Sequence, residues 1–199
     1  MLTVIVSMLL FALVGAISPG PVNVIATGAG ARFGIRGALP HVLGATISYT
    51  LIVLLAGLML NEMAHWLPQI SLLMQIAGGA FLLWIAWKIA TAPAQSLEGE
   101  RHESPPGFMG GVLCQTLNPK AWLVSMSGIS LFVSHQESSG LLLIVFCVVS
   151  FAMCFLGVGC WAVLGQIIRR LLSSTRRQVM FNRVMALLLV VSMLSIISV

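Results

Sequence analysis

Six stretches of this chain are apolar enough to lie in hydrocarbon, and that leaves few ways to fold. A run that crosses ~30 Å of hydrocarbon needs about 20 residues at ~1.5 Å each. In that medium every backbone N–H and C=O needs a partner inside the protein, so the expected elements are helices. The runs go from Leu2 to Thr27, Ala38 to Leu60, Leu67 to Ala90, Phe108 to Val133, Leu141 to Ile168 and Val179 to Val199. Of 199 residues 59% are hydrophobic and 8% charged, against roughly 45–50% and 25% in soluble domains. With a mean hydropathy of +1.05, the composition is that of an integral membrane protein. Met1 to Ser18 lacks a cationic leading region and the apolar pattern continues past it, so it reads as a retained span rather than a signal peptide.

Two of the runs are broken by proline about half the chain apart, at Ser18-Pro19-Gly20-Pro21 in the first and Asn118-Pro119-Lys120 in the fourth. Ser or Asn directly before Pro is an N-cap and N1 pair, so each break reads as a helix start inside a span. Broken backbone at membrane depth is tolerated only where protein buries it or a cavity receives it, which points to a transport site.

The connection from Pro93 to Gly107, with Glu98, Glu100, Arg101, Glu103 and Pro105-Pro106-Gly107, is the hydrophilic one. It divides a single membrane domain, 1–199, into three-helix halves at 1–92 and 108–199 around a cytoplasmic linker at 93–107. Arg32 and Arg36 fall in the first connection, Lys88 and Arg101 in the third, and Arg169, Arg170, Arg176, Arg177 and Arg183 in the fifth. The second and fourth have none, so nine of the ten cations lie on one side. The positive-inside rule makes that side cytoplasmic and turns both termini outward. Three helices per half give the halves inverted topology. Ser18 lies about 12 residues from Gly30 and Pro119 about 12 from Gly107, so both breaks reach ~18 Å into the membrane, near one midplane. The fold expected is all-α: a polytopic membrane protein of six transmembrane helices in two inverted three-helix repeats, with helices one and four broken by proline.

A helix start has up to four unpaired N–H donors and about half a positive charge. Two of them at one cavity would make an anion site, to which Lys120, the one cation deep inside a span, adds a full charge. An intramembrane ionisable residue is costly and by default functional; the structural alternative is that Lys120 snorkels or satisfies carbonyls freed by the break. The prolines could likewise be structural kinks. Asn23 and Thr27 share a face with the first break, and Thr46, Ser48 and Tyr49 are polar positions on the second helix; each could bond a polar solute or a neighbouring helix. His41 reads as interfacial, and Glu62, His65, His135 and Glu137 as solvated outer-loop residues. Cys114, Cys147, Cys154 and Cys160 all lie in apolar runs, so they read as packing residues and not as a disulfide framework. There is no Asp in the chain, no phosphate-binding glycine loop and no Cys/His cluster, so no metal, nucleotide or other cofactor is implied. The basic excess lies in short loops, which speaks for topology and not for nucleic acid.

Together the SPGP break, the Arg32–Gly37 turn, the run Ala80 to Lys88 (AFLLWIAWK) and Asn118-Pro119-Lys120 resemble the LysE/RhtB family of bacterial amino-acid exporters, over essentially the whole chain. The continuation AWKIATAP looks most like its cysteine and O-acetylserine exporter branch. The family usually has Asn directly after the first PGP; here Val22 stands there and Asn23 follows. Members that export cationic amino acids carry Asp in helices two and five, whereas the matching stretches here offer Tyr49 and, near Met153 and Cys154, nothing charged.

The resemblance implies an inner-membrane efflux transporter for a small neutral amino acid or derivative, driven by the proton gradient, and not an enzyme. The expected substrate-binding residues are Ser18, Pro19, Gly20, Pro21, Asn23, Tyr49, Asn118, Pro119 and Lys120. The expected partners are the amino acid and the bilayer, with a homodimer plausible on size. A thiol-disulfide electron carrier or a metal-ion exporter of similar helix plan are the alternatives. The first would need a reactive cysteine pair and the second carboxylate or His ligands at depth.

Overall fold

The computed structural model of the chain describes residues 2–91, 104–134, 139–169, 171–172 and 174–197, with side chains except at 60–72, 74, 75 and 192–197. The linker expected at 93–107 is therefore described only from residue 104, and His135, Glu137, Arg170 and the side chains of Glu62 and His65 lie outside the described residues. Among the described residues the structure is wholly helical: α1 (Leu2–Ile17), α2 (Pro21–Leu58), α3 (Leu60–Thr91), α4 (Phe108–Thr116), α5 (Pro119–Phe132), α6 (Ser139–Arg169) and α7 (Thr175–Ile197). Both proline breaks are present, one between α1 and α2 and the other between α4 and α5.

The junction of the first two apolar runs lies inside α2. Gly34 has φ 73° and ψ 175°, a left-handed backbone that glycine tolerates best, and it separates limbs 21–33 and 35–58. These limbs fold back on each other. Val22 and His41 would lie ~28 Å apart on a straight helix, yet the His41 Nε2 donates to the Val22 carbonyl at 3.3 Å. The Ile35 amide beside the turn donates to Gln166 Oε1 at 2.6 Å, which ties the turn to α6. By length and apolarity, α2 and α6 can each cross a membrane, and α1 and Ile76–Thr91 are shorter apolar helices.

Many large apolar side chains face outward, and around a few buried large ones such as Phe146 and Met8 much of the interior is built of small residues. Leu10, Ile144 and Leu187 are each about 60% exposed, whereas Ala26, Ala38, Ala45 and Ala56 are fully buried. That distribution suits a lipid surround, where helices associate by close backbone approach rather than by hiding apolar surface from water. Glycine sets the approaches. A Cβ at Gly30 would overlap the Ala162 carbonyl and one at Gly165 the Thr27 carbonyl, so α2 and α6 cross with backbones nearly touching. Gly44 against Phe108 and Gly111 against His41 lock α4 to the second limb of α2 in the same way. Helices α3 and α7 pack chiefly on each other, beside this centre.

Replacing Gly165 by Val should therefore push α6 off α2 and cost on the order of 1–3 kcal/mol. Gly159→Ala, whose added methyl meets nothing within 4 Å, should leave stability unchanged or raised. Thermal unfolding of the two variants in detergent checks this, and equal midpoints would contradict the crossing.

Candidate functional site

The two breaks meet. The Lys120 Nζ, just inside α5, donates to Ser18 Oγ at 2.5 Å and lies 3.4 Å from the Ser18 carbonyl oxygen, joining positions 102 residues apart. A cavity of about 50 Å³ opens beside this contact, room for roughly four waters at ~10–15 Å³ each. From the first break it is lined by Gly15, Ala16, Ser18, Gly20, Val22 and Asn23, and from the second by Gln115, Asn118, Lys120, Ala121 and Val124. Tyr49 of α2 and Cys154 and Val158 of α6 close it.

Each break leaves carbonyls at the end of one helix and amides at the start of the next, and the carbonyls are largely taken up by side chains. At the end of α1, the Ser18 hydroxyl donates to the Gly15 carbonyl at 2.9 Å. The Asn23 Nδ2 donates to the Ala16 and Ser18 carbonyls, both at 2.9 Å, and the Trp161 indole to Ile17 at 3.1 Å. At the end of α4, the Trp122 indole donates to the Thr116 carbonyl at 2.9 Å. Such substitutes keep broken backbone stable where water cannot reach it.

The helix starts differ. Asn118 is the N-cap of α5, as expected: its Oδ1 accepts from the Lys120 amide at 3.2 Å, with Pro119 at the first helical position. Ser18 does not cap α2. The residue before a proline is driven to extended backbone, and Gly20 before Pro21 has φ −169° and ψ 172°, so α2 starts two residues later than Ser18-Pro19 alone implies. No side chain caps this start. The Val24 amide bonds to the Gly20 carbonyl at 3.0 Å, while the Val22 and Asn23 amides belong to the first turn, which has no internal partners. Two positive helix ends thus converge on the cavity with one full charge, Lys120. No Asp or Glu lines it.

Of the nine residues expected from sequence, Ser18, Gly20, Asn23, Tyr49, Asn118 and Lys120 line the cavity. Pro19, Pro21 and Pro119 do not; Pro19 is exposed and Pro21 fully buried. The Asn23 amide nitrogen is occupied by α1 carbonyls, so only its oxygen remains for a solute. Thr27 bonds its own helix at the Asn23 carbonyl, Thr46 bonds Val42, and Ser48 pairs with Thr116 of α4 at 2.9 Å. His41, expected at the interface, is fully buried, because the fold-back at Gly34 lays it against Val22. Gln115 and Cys154 were not anticipated. Gln115 lies in the last turn of α4, and the Asn118 amide bonds to its carbonyl at 3.2 Å, so its nearness to the break is the signal in the sequence. Among the described residues no three His, Cys, Asp or Glu side chains come together, and the four thiols are free.

The LysE type translocator family matches residues 13–197. The chain is 31% identical over 180 residues to the cysteine/O-acetylserine efflux protein of Salmonella typhimurium (strain LT2), with 90% of each chain covered. It is 30% identical over the same length and coverage to the protein of that description from Escherichia coli (strain K12). No solved structure matches the chain. With a match over nearly its whole length and relatives alike over 90% of theirs, the chain belongs to the LysE type translocator family.

Proposed function

We propose that the chain is an inner-membrane efflux transporter for a small neutral amino acid or derivative, such as cysteine, O-acetylserine, threonine or homoserine, driven by the proton gradient. The observation that carries this is the Lys120–Ser18 contact, which brings two helix starts and the one full charge to a single cavity. In this reading a substrate carboxylate takes the Val22 and Asn23 N–H groups at the start of α2 and an N–H of the Lys120 side chain, while the start of α5, whose Lys120 and Ala121 amides already bond to Asn118, adds the positive end of its dipole. Asn23 Oδ1, Tyr49 and Gln115 receive the amino group and a polar side chain, and Pro19, Pro21 and Pro119 hold the broken backbone. A cationic side chain would be desolvated there without a counter-ion, which favours neutral substrates. The cavity volume favours small ones. The names of the relatives support the same class.

The mechanism we infer is alternating access between two inverted halves, with both termini outside and the basic connections in the cytoplasm. Packing supports it: α1 leans on α6 while α4 leans on the second limb of α2, and α3 pairs with α7. A two-fold axis in the membrane plane that exchanges the halves would relate the first two contacts and map the third onto itself. The protein acts as a carrier and not as an enzyme, and dimerisation is compatible with it. A thiol-disulfide carrier would need two reactive sulfurs at the site, and only Cys154 among the four lines the cavity.

Inverted vesicles loaded from a panel of labelled amino acids should accumulate small neutral ones, and only with a proton gradient; uptake of none of them would end this reading. Lys120→Met should lower uptake by roughly 10- to 100-fold, the equivalent of losing ~1.5–3 kcal/mol for a charge-assisted hydrogen bond. Full transport by that variant would remove Lys120 from the site. A chain with all four cysteines changed to Ser should still transport, and its inactivity in folded form would favour the thiol carrier.

A further inference from the structure

Two buried hydroxyls stand just beyond the wall of the central cavity. Ser125 of α5 and Ser150 of α6 are fully buried, and among the described residues neither Oγ has a hydrogen-bond partner. Other helical hydroxyls are engaged locally: Thr27, Thr46 and Thr50 of α2 and Thr91 of α3 each donate to the carbonyl four residues earlier. A helical serine can do the same, so Ser125 and Ser150, which do not, are turned elsewhere. Buried polar atoms are nearly always satisfied, and one left over points to a partner that the chain itself does not supply.

Residues one turn away fix their position. Ala121 and Val124 of α5 line the cavity, and Ser125 follows Ala121 by one turn, ~6 Å along the helix. The hydroxyl of Tyr49, another lining residue, stands near that of Ser125, outside hydrogen-bond geometry. On α6, Ser150 precedes the lining residue Cys154 by one turn as well. Both displacements run toward the connection between α5 and α6, so the two serines lie on one side of the cavity. One turn further the helices close. A Cβ at Gly128 of α5 would overlap the Phe146 ring of α6, and Phe146 clusters with Phe11 and Phe132 at ring-centre separations of 5.6, 5.8 and 6.4 Å. The serines thus form a hydroxyl layer between the cavity and an aromatic seal.

Resting on the reading of this cavity as an amino-acid site, we propose that Ser125, with Ser150 behind Cys154, determines specificity for the substrate's side chain and selects a hydroxyl or thiol over a methyl of similar size. A cavity of about 50 Å³ takes the carboxylate and ammonium of an amino acid and little more. With the carboxylate at Lys120, the side chain lies against the remaining wall, Tyr49, Val124 and Cys154, behind which the two hydroxyls stand. A substrate hydroxyl or thiol donates to one serine oxygen and accepts from the other serine's hydrogen. A methyl satisfies neither, and a site with buried polar groups discriminates against a ligand that leaves them unpaired.

Inverted vesicles given labelled threonine or valine, and reduced cysteine or α-aminobutyrate, compare side chains that differ only by a hydroxyl or thiol against a methyl. The unaltered protein should take up the first of each pair about tenfold faster. That ratio should fall to near one in S125A and fall in part in S150A. It should stay in S127A, whose serine is exposed elsewhere on α5. Thermal unfolding in detergent gives a readout independent of transport: removal of an unpartnered hydroxyl should leave the midpoints of S125A and S150A unchanged or raise them. Equal uptake within each pair by the unaltered protein would overturn this proposal alone. So would an unchanged ratio in S125A or S150A, or a collapse in S127A as large as in S125A. A lowered midpoint or a failure to fold would show that the hydroxyls are already bonded in the unaltered protein, and would overturn it too. No uptake of any of the four compounds would instead end the reading of the cavity as an amino-acid site.

Discussion

One ammonium group holds the two breaks of this bundle against each other. Lys120 begins α5, yet its Nζ rests on Ser18 between α1 and α2. Without that bridge the two breaks would be separate interruptions, each with a helix end on either side. With it, four helix ends share one small polar volume, and the carbonyl ends are taken up by Ser18, Asn23, Trp161 and Trp122. The amide end of α2 is left uncapped, while that of α5 is closed by Asn118. Interruption of α1–α2 and α4–α5 is thus what creates polarity inside an otherwise apolar protein.

The position of that volume depends on glycine and alanine. Helices α2 and α6 approach until the Gly30 and Gly165 backbones touch carbonyls of the opposite helix, and α4 approaches the second limb of α2 through Gly44 and Gly111. Larger residues at these crossings would separate the helices that carry Asn23, Tyr49, Gln115 and Cys154, and the cavity walls with them. Small residues set the distances, and the few polar ones set the chemistry.

Much of this can be read from the chain alone. Apolar runs imply helices, the proline pairs mark both breaks, and Asn118-Pro119 specifies a cap that the structure shows atom for atom. Reading fails where two local rules compete or where the fold supplies the partner. Ser18-Pro19 and Gly20-Pro21 are both plausible helix starts, and extended backbone at Gly20 decides for the second, which frees Ser18 for Lys120. The burial of His41 depends on the angle of the Gly34 turn. Cys154 faces the cavity because Gly157, packed on Ala16 of α1, and Gly165, packed on Thr27 of α2, set the rotation of α6, a choice that a uniformly apolar helix conceals from its own sequence.

Counting protons at the Lys120–Ser18 contact has a consequence for what the site can offer a ligand. The Ser18 hydroxyl already donates its one hydrogen to Gly15, so toward Lys120 it can only accept. Two of the amine's hydrogens are engaged by the Ser18 hydroxyl and carbonyl oxygens. A charged amine has three, which leaves one to present to an arriving carboxylate. A neutral amine has two, and with both engaged it presents a lone pair. The same nitrogen in the same place is then a donor or an acceptor according to a single hydrogen, and the cavity's preference between an anion and a hydroxyl or ammonium group reverses with it.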